Sequence, residues 1–212
     1  MYLNEPKSFD LEYSVQQLKK VDPALTEMFN QVQVNPLEPE KNYFNSLTRS
    51  IIYQQLSGSA AKKIFNRFKK IYSVNAFPKP KDVFLTDIEI LRSSGLSYNK
   101  AQYIKNIAKA FLDEQDTYNS LAKMGDEDII QTLTKVKGIG LWTAQMFLMF
   151  TLNRPDIFPA TDLAIQKGYQ AFFKLSALPK PGEMIKKSKL WIPYRTTVSL
   201  YLWAVLEGRF EW

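Results

Sequence analysis

"VKGIGLWTA", residues 136–144, holds two glycines one residue apart, followed by an apolar run. Two helical patterns flank it. The first runs from Asp126 to Val136 and opens with acids, as the helix dipole favours. The second, Leu141 to Leu152, is apolar almost all round, which marks a central, buried helix. Gly138 falls where a left-handed residue closes a helix, and Gly140 where the next one starts. Taken alone, the nine residues leave two alternatives open. They are an ordinary glycine stop before a buried helix, or a tight hairpin that turns backbone amides toward an anion.

Working outward, helical periodicity dominates and no alternating strand stands out. Leu11, Val15 and Leu18 form one stripe, and Asp22-Pro23 has the form of a cap with a first-turn proline. NPLEPE breaks the pattern. Phe44, Leu47, Ile51, Ile52 and Leu56 mark a buried helix, punctuated by Ser57-Gly58-Ser59. AAKKIFNRFKKIY continues as a basic amphipathic helix. Thr86 to Glu89 has capping-box spacing, Gly95 closes that helix, and Ser97 caps the next. DLAIQKGYQAFF is a further helix, and the last covers about 193–206. About ten helices with short connectors, and no repeat of solenoid length, predict an all-α protein of two helical lobes with a cleft between them. Lobe A is expected over about 1–40 plus 155–212. Lobe B is expected over about 41–154, with the helix-hairpin-helix at about 126–152.

The composition removes whole classes of chemistry. The 212 residues include no cysteine, so disulfides, thiolate zinc sites, catalytic thiols and cysteine-bound iron–sulfur clusters are excluded. No histidine is present either, which excludes imidazole metal sites and every Ser-His or Cys-His arrangement. The first residues lack a signal-peptide pattern. The longest apolar run is shorter than the roughly 20 residues of a membrane span. The expectation is a soluble intracellular protein. The net charge is +7, unevenly spread. Residues 1–45 hold 4 basic and 7 acidic residues, and the remainder 24 and 14, so the body is strongly basic. Such a balance suits a polyanionic partner, or simply a solvated lysine surface.

Asp162 lies 22 residues after Gly140 and opens a helix in FPATDLAI. The order hairpin, helix, proline-containing loop, aspartate resembles the helix-hairpin-helix (HhH-GPD) superfamily of DNA base-excision glycosylases. GIGLWTA, FPATDLAI, SIIYQQLSGSAA, GLSYNKAQYI and WIPYRTTVSLYLW together resemble the 3-methyladenine DNA glycosylase II branch. The resemblance covers about residues 10–207, in a compact form without the N-terminal β domain of longer members. Lys137 replaces a proline common before the first hairpin glycine, which adds positive charge.

The resemblance implies a catalytic carboxylate at Asp162, which also reads as a plain helix cap. It implies a phosphate anchor at Lys137, Gly138, Ile139, Gly140 and Thr143. A pocket for the base is expected from Trp142, Tyr194, Trp191 and Tyr53, while Trp203, Phe147 and Phe150 read as core. Tyr98 falls at the expected wedge position, with Lys100 beside it. Gln54 and Gln55 read either as minor-groove polar groups or as a helix-capping amide pair. A structural metal ion on the carbonyls of Thr134, Val136 and Ile139 is implied, and no required cofactor. The expected partner is double-stranded DNA with damaged bases, met by a monomer away from membranes. The expected location is the cytoplasm, associated with the nucleoid, in a bacterium, or the nucleus in a eukaryote.

Base release builds positive charge on the sugar, which one carboxylate stabilises. Without histidine or a second paired carboxylate, protonation of a leaving base lacks an obvious acid. Alkylated purines such as 3-methyladenine and 7-methylguanine are already cationic and leave without one. The superfamily's lyases carry lysine two residues after the second hairpin glycine. That residue here is Trp142, so a monofunctional hydrolase is expected. A non-catalytic helix-hairpin-helix DNA-binding protein is the alternative.

Overall fold

The computed structural model describes residues 9–56, 58–72 and 77–207. Ser57, part of the expected break, lies outside them. Every regular element among the described residues is helical. No helix there is long and apolar enough to cross a membrane. The chain divides into two compact units, residues 1–39 with 148–212, and residues 40–147.

In chain order, α1 (Leu11–Val21) and α2 (Thr26–Gln31) begin the first unit. The second unit contains α3 (Tyr43–Tyr53), α4 (Gly58–Lys70), α5 (Pro80–Leu85), α6 (Ile88–Ser93), α7 (Tyr98–Asp113), α8 (Gln115–Asn119) and α9 (Asp126–Thr134). Helix α10 (Leu141–Phe150) runs across the border between units. Helices α11 (Leu163–Phe172), α12 (Pro181–Ser188) and α13 (Arg195–Glu207) complete the first unit. That border falls earlier than residue 155, because the last turn of α10 is built into the first unit. The Phe150 ring lies 5.8 Å from Trp203, and the Arg154 N–H donates to the Leu148 carbonyl.

In the second unit α7 is the central element. Its Ala101, Ile104, Ile107 and Ala108 are fully buried, as are Leu47, Ile51 and Ile52 of α3. Each leucine or isoleucine among them contributes about 1.5–3 kcal/mol by leaving water. The start of α7 is sharp. Gly95 adopts φ +99°, open to glycine, and the Ser97 hydroxyl accepts the Lys100 N–H at 3.2 Å.

In the first unit α11 and α13 pack with almost no spacing. A Cβ on Gly168 would run into the Leu202 carbonyl, so only glycine permits this approach. Asp22 departs from its expected capping role. Pro23–Leu25 forms a 3₁₀ turn without a side-chain cap. The Asp22 carboxylate is instead buried, accepting from Trp191 Nε1 at 2.8 Å and pairing with Lys187 Nζ at 2.9 Å. A buried charge needs such partners, and α1 is thereby fastened to the segment after α12.

Candidate active site

The hairpin is set by short-range bonds. The Val136 N–H donates to Leu133 O and the Ile139 N–H to Val136 O, which closes a tight turn with Gly138 at φ +113°. A side chain at Gly138 would collide with the Tyr103 ring of α7. Gly140 differs, because a Cβ there would meet nothing within 4 Å. Its carbonyl accepts the Ala144 N–H, so it opens α10. The first glycine is required by the fold. The second leaves open space at a helix start, where first-turn amides lack intrahelical acceptors.

Two polar side chains brace this turn, Gln54 just after α3 and Asn106 on α7, and a third, Lys100, holds the end of α3 beside them. Gln54 Nε2 donates to Thr143 Oγ1 at 3.0 Å and to the Gly138 carbonyl at 3.4 Å. Asn106 Nδ2 donates to the Lys137 carbonyl at 3.0 Å and is itself oriented by Gln102. Lys100 Nζ donates to the carbonyls of Ile52 and Gln54 at 2.9 and 2.7 Å, capping the end of α3. Burial lowers the Lys100 pKa. Asn106 and Tyr103 carry no motif of their own, and only the helical spacing of α7 puts them on the hairpin side.

Several of the residues expected to contact DNA have internal partners. The Ile139 side chain is buried and its amide is used within the turn, so it is not a phosphate donor. Thr143 is buried, and its hydroxyl accepts from Gln54. The Lys100 ammonium is tied to backbone carbonyls and does not reach out as a DNA contact. Lys137 is exposed on the turn as expected. Gln55 sits at φ +57°, a left-handed conformation unusual for its type. It is followed by Leu56, 41% exposed. Tyr98, 54% exposed, begins α7 two residues before Lys100.

In the first unit Asp162 is the N-cap of α11. Its Oδ1 accepts the Ile165 N–H at 2.9 Å and the Trp203 indole N–H at 3.1 Å. Two donors on one oxygen fix the rotation of the half-buried carboxylate. The loop before it is stitched to α13. Arg195 forms a two-pronged pair with Asp156 at 2.7 and 2.8 Å, Thr196 Oγ1 links Arg154 O to Ile157 N–H, and Ser199 Oγ donates to Ile157 O. Trp203 is core, as its pattern indicates, and it also positions the candidate carboxylate, which the sequence reading missed.

The four aromatic residues expected in the base pocket have different surroundings. Trp191 is fully buried against Phe158 and Tyr169, with its N–H on Asp22, so it is a core clamp and not a pocket wall. Tyr194 is half-buried and meets Tyr13 edge-on, with centroids 6.1 Å apart. Its phenol pKa is raised, by burial first and then by a hydrogen bond with Tyr13. Trp142, half-buried, is the second residue of α10. The Tyr53 ring carries the Arg49 guanidinium 5.2 Å from its centroid. An open groove of about 710 Å³ in the second unit, bordered by Phe44, Lys79, Lys81 and Phe111, contains none of these candidates.

Comparison with known proteins identifies the family. Residues 48–193 match the HhH-GPD superfamily base excision DNA repair protein family. The chain is 37% identical over 180 residues to DNA-3-methyladenine glycosylase 1 of Schizosaccharomyces pombe, covering 84% of this chain and 79% of that protein. It is 34% identical over 203 residues to the alkylbase DNA glycosidase-like protein mag2 of the same yeast, covering 94% and 95%. Among solved structures, the S. pombe 3-methyladenine DNA glycosylase in complex with abasic DNA superposes with a TM-score of 0.78 at 34% identity, covering 92% and 95%. A DNA-3-methyladenine glycosidase from Bacillus halodurans gives 0.77 at 31% identity, covering 92% and 89%. The chain belongs to the HhH-GPD superfamily, and its all-α fold is that of these glycosylases.

Proposed function

We propose that this HhH-GPD protein is a monofunctional DNA glycosylase, hydrolysing the N-glycosidic bond of cationic alkylated purines such as 3-methyladenine and 7-methylguanine in duplex DNA. The observation that carries the reading is Asp162, a carboxylate held by Ile165 N–H and Trp203 Nε1. A fixed carboxylate needs little reorganisation to stabilise the oxocarbenium-like charge on the sugar and to orient water. The relatives named as 3-methyladenine glycosylases support the substrate class.

The hairpin serves as the phosphate anchor, through Lys137 and the amides that begin α10 beside Gly140. The target base must leave the stack, at a cost of a few kcal/mol. Two exposed apolar groups compete to fill the gap, Tyr98 and Leu56, as wedge side chains do. Lys100 ties together the two backbone segments that carry them. Loss of base flipping in Leu56→Ala but not in Tyr98→Ala, followed by 2-aminopurine fluorescence, assigns the wedge to Leu56, and the reverse result assigns it to Tyr98. Trp142 and Tyr53 of the second unit and Tyr194 of the first are the aromatic rings proposed to receive a cationic base, each such contact worth about 0.5–2 kcal/mol.

Trp142 supplies no amine for a Schiff base, so an abasic site remains as product. Efficient borohydride trapping of a covalent enzyme–DNA adduct contradicts this. A structural cation on the carbonyls of Thr134, Val136 and Ile139 is part of the proposal. Oxygen donors suit a hard cation, and the Val136 carbonyl, which accepts Ile139 N–H, keeps a second lone pair. A thermal midpoint that rises when potassium or sodium replaces a bulky organic cation supports it. The protein would act as a monomer on genomic DNA, in the nucleoid of a bacterium or the nucleus of a eukaryote.

The deciding experiment is excision from oligonucleotides carrying 3-methyladenine, 7-methylguanine, hypoxanthine or ethenoadenine, wild type beside Asp162→Asn. The rival, a non-catalytic DNA-binding protein, requires that neither form release a base while both bind.

A further inference from the structure

We propose, on the glycosylase reading above, that Arg67 and Lys100 are paired positioning residues for base flipping, locking residues 54–56 and 94–98 into one rigid wedge. Both segments follow helix ends inside the second unit. Residues 54–56 follow α3 and carry the exposed Leu56, and residues 94–97 follow α6 and lead to the exposed Tyr98.

Each helix end is held by a cation from the helix beyond the other segment. Lys100 of α7 donates to the Ile52 and Gln54 carbonyls at 2.9 and 2.7 Å, at the end of α3. Arg67 of α4 donates through Nε to the Ser94 carbonyl at 2.7 Å, at the end of α6. Cations suit helix C-termini, where carbonyls lack intrahelical donors.

The two bonds close a ring. From Gln54 the chain runs through α4 to Arg67, crosses to Ser94, continues to Lys100 and returns to Gln54. The crossing at Ser94 is close. A Cβ on Gly95 would stand 2.6 Å from the Arg67 guanidinium and 3.4 Å from the Ile64 side chain. Gly95, at φ +99°, therefore lets Arg67 lie against the turn. Gln54 also bonds to Thr143 Oγ1 and the Gly138 carbonyl, which fixes the ring to the hairpin.

A side chain that enters the stack displaces a base only if its own backbone does not recoil. Charge-assisted bonds resist that recoil. Extrusion is least costly where the base has no pairing partner, so the need for a stiff wedge should fall there too.

The test is single-turnover release of 7-methylguanine by wild type, Arg67→Met, Lys100→Met and the double variant, from two duplexes. One places cytosine opposite the lesion, and the other an abasic-site analogue. On the cytosine duplex each single variant should lose about tenfold. On the abasic duplex the loss should shrink to about twofold or less. The double variant should lose less than the product of the singles, because one broken bond already opens the ring. Arg67→Lys, which keeps a donor for the Ser94 carbonyl, should recover most of the loss. Arg67 is exposed, so Arg67→Met should fold, and its behaviour on the two duplexes suffices if Lys100→Met does not fold. Equal losses on the two duplexes, multiplicative losses in the double variant, or no loss at all overturn the proposal and leave the glycosylase reading standing. A wild type that releases the base from neither duplex overturns both.

Discussion

At Asp162 the observed cap and the proposed chemistry fall on one side chain, and a conservative substitution separates them. Asn keeps an oxygen for the Ile165 N–H but removes the charge. Asp162→Asn should therefore hold stability within about 1 kcal/mol, while base release falls at least about 10²–10³-fold. Calorimetry beside an excision assay reads both, and a matching loss of stability sinks the separation. Trp203→Phe removes the indole donor from Oδ1. A hydrogen bond to a charged group is worth about 1.5–3 kcal/mol, so kcat should fall about 10–100-fold with little change in KM. Steady-state kinetics on 7-methylguanine DNA check it. Asp162 was legible from its place in FPATDLAI. The partner Trp203 was not, because an apolar-pattern tryptophan gives no sign of where its one polar atom points. Trp191 carries the reverse lesson. Its buried N–H needed an acceptor, and Asp22, 169 residues away in sequence, supplied it.

At the scale of the element, the two hairpin glycines do different work. Gly138 holds a left-handed backbone against Tyr103, so Gly138→Ala should cost about 1–3 kcal/mol of stability. A thermal midpoint equal to wild type contradicts that. Gly140→Ala meets no neighbour in the folded chain, so it should fold normally and bind DNA more weakly, as measured by fluorescence anisotropy. Undiminished affinity would remove Gly140 from the phosphate anchor. The hairpin and its flanking helices were readable because turn chemistry and capping are local. Its bracing by Gln54, Asn106 and Tyr103 was not, since residues 84 and 89 positions apart in sequence meet only in the fold. The internal partners of Thr143, Ile139 and Lys100 were hidden for the same reason.

For the whole molecule, the basic body predicts strongly salt-dependent DNA binding. Each neutralised phosphate contributes a slope of about −0.9 in log K against log salt. Lys137→Ala should reduce that slope by about 1, across sequences alike. Titrations at several salt concentrations measure it, and an unchanged slope takes Lys137 out of the anchor.

The sequence by itself determined an all-helical chain and the chemistry denied to it by the absence of cysteine and histidine. It also determined the order of hairpin and aspartate, because these depend on composition, periodicity and nearest-neighbour backbone preferences. Only the tertiary structure decided which polar atoms remain for a ligand. A buried donor or acceptor must find a partner, and helix packing, down to the contact of Gly168 with Leu202, chooses that partner from the far side of the chain.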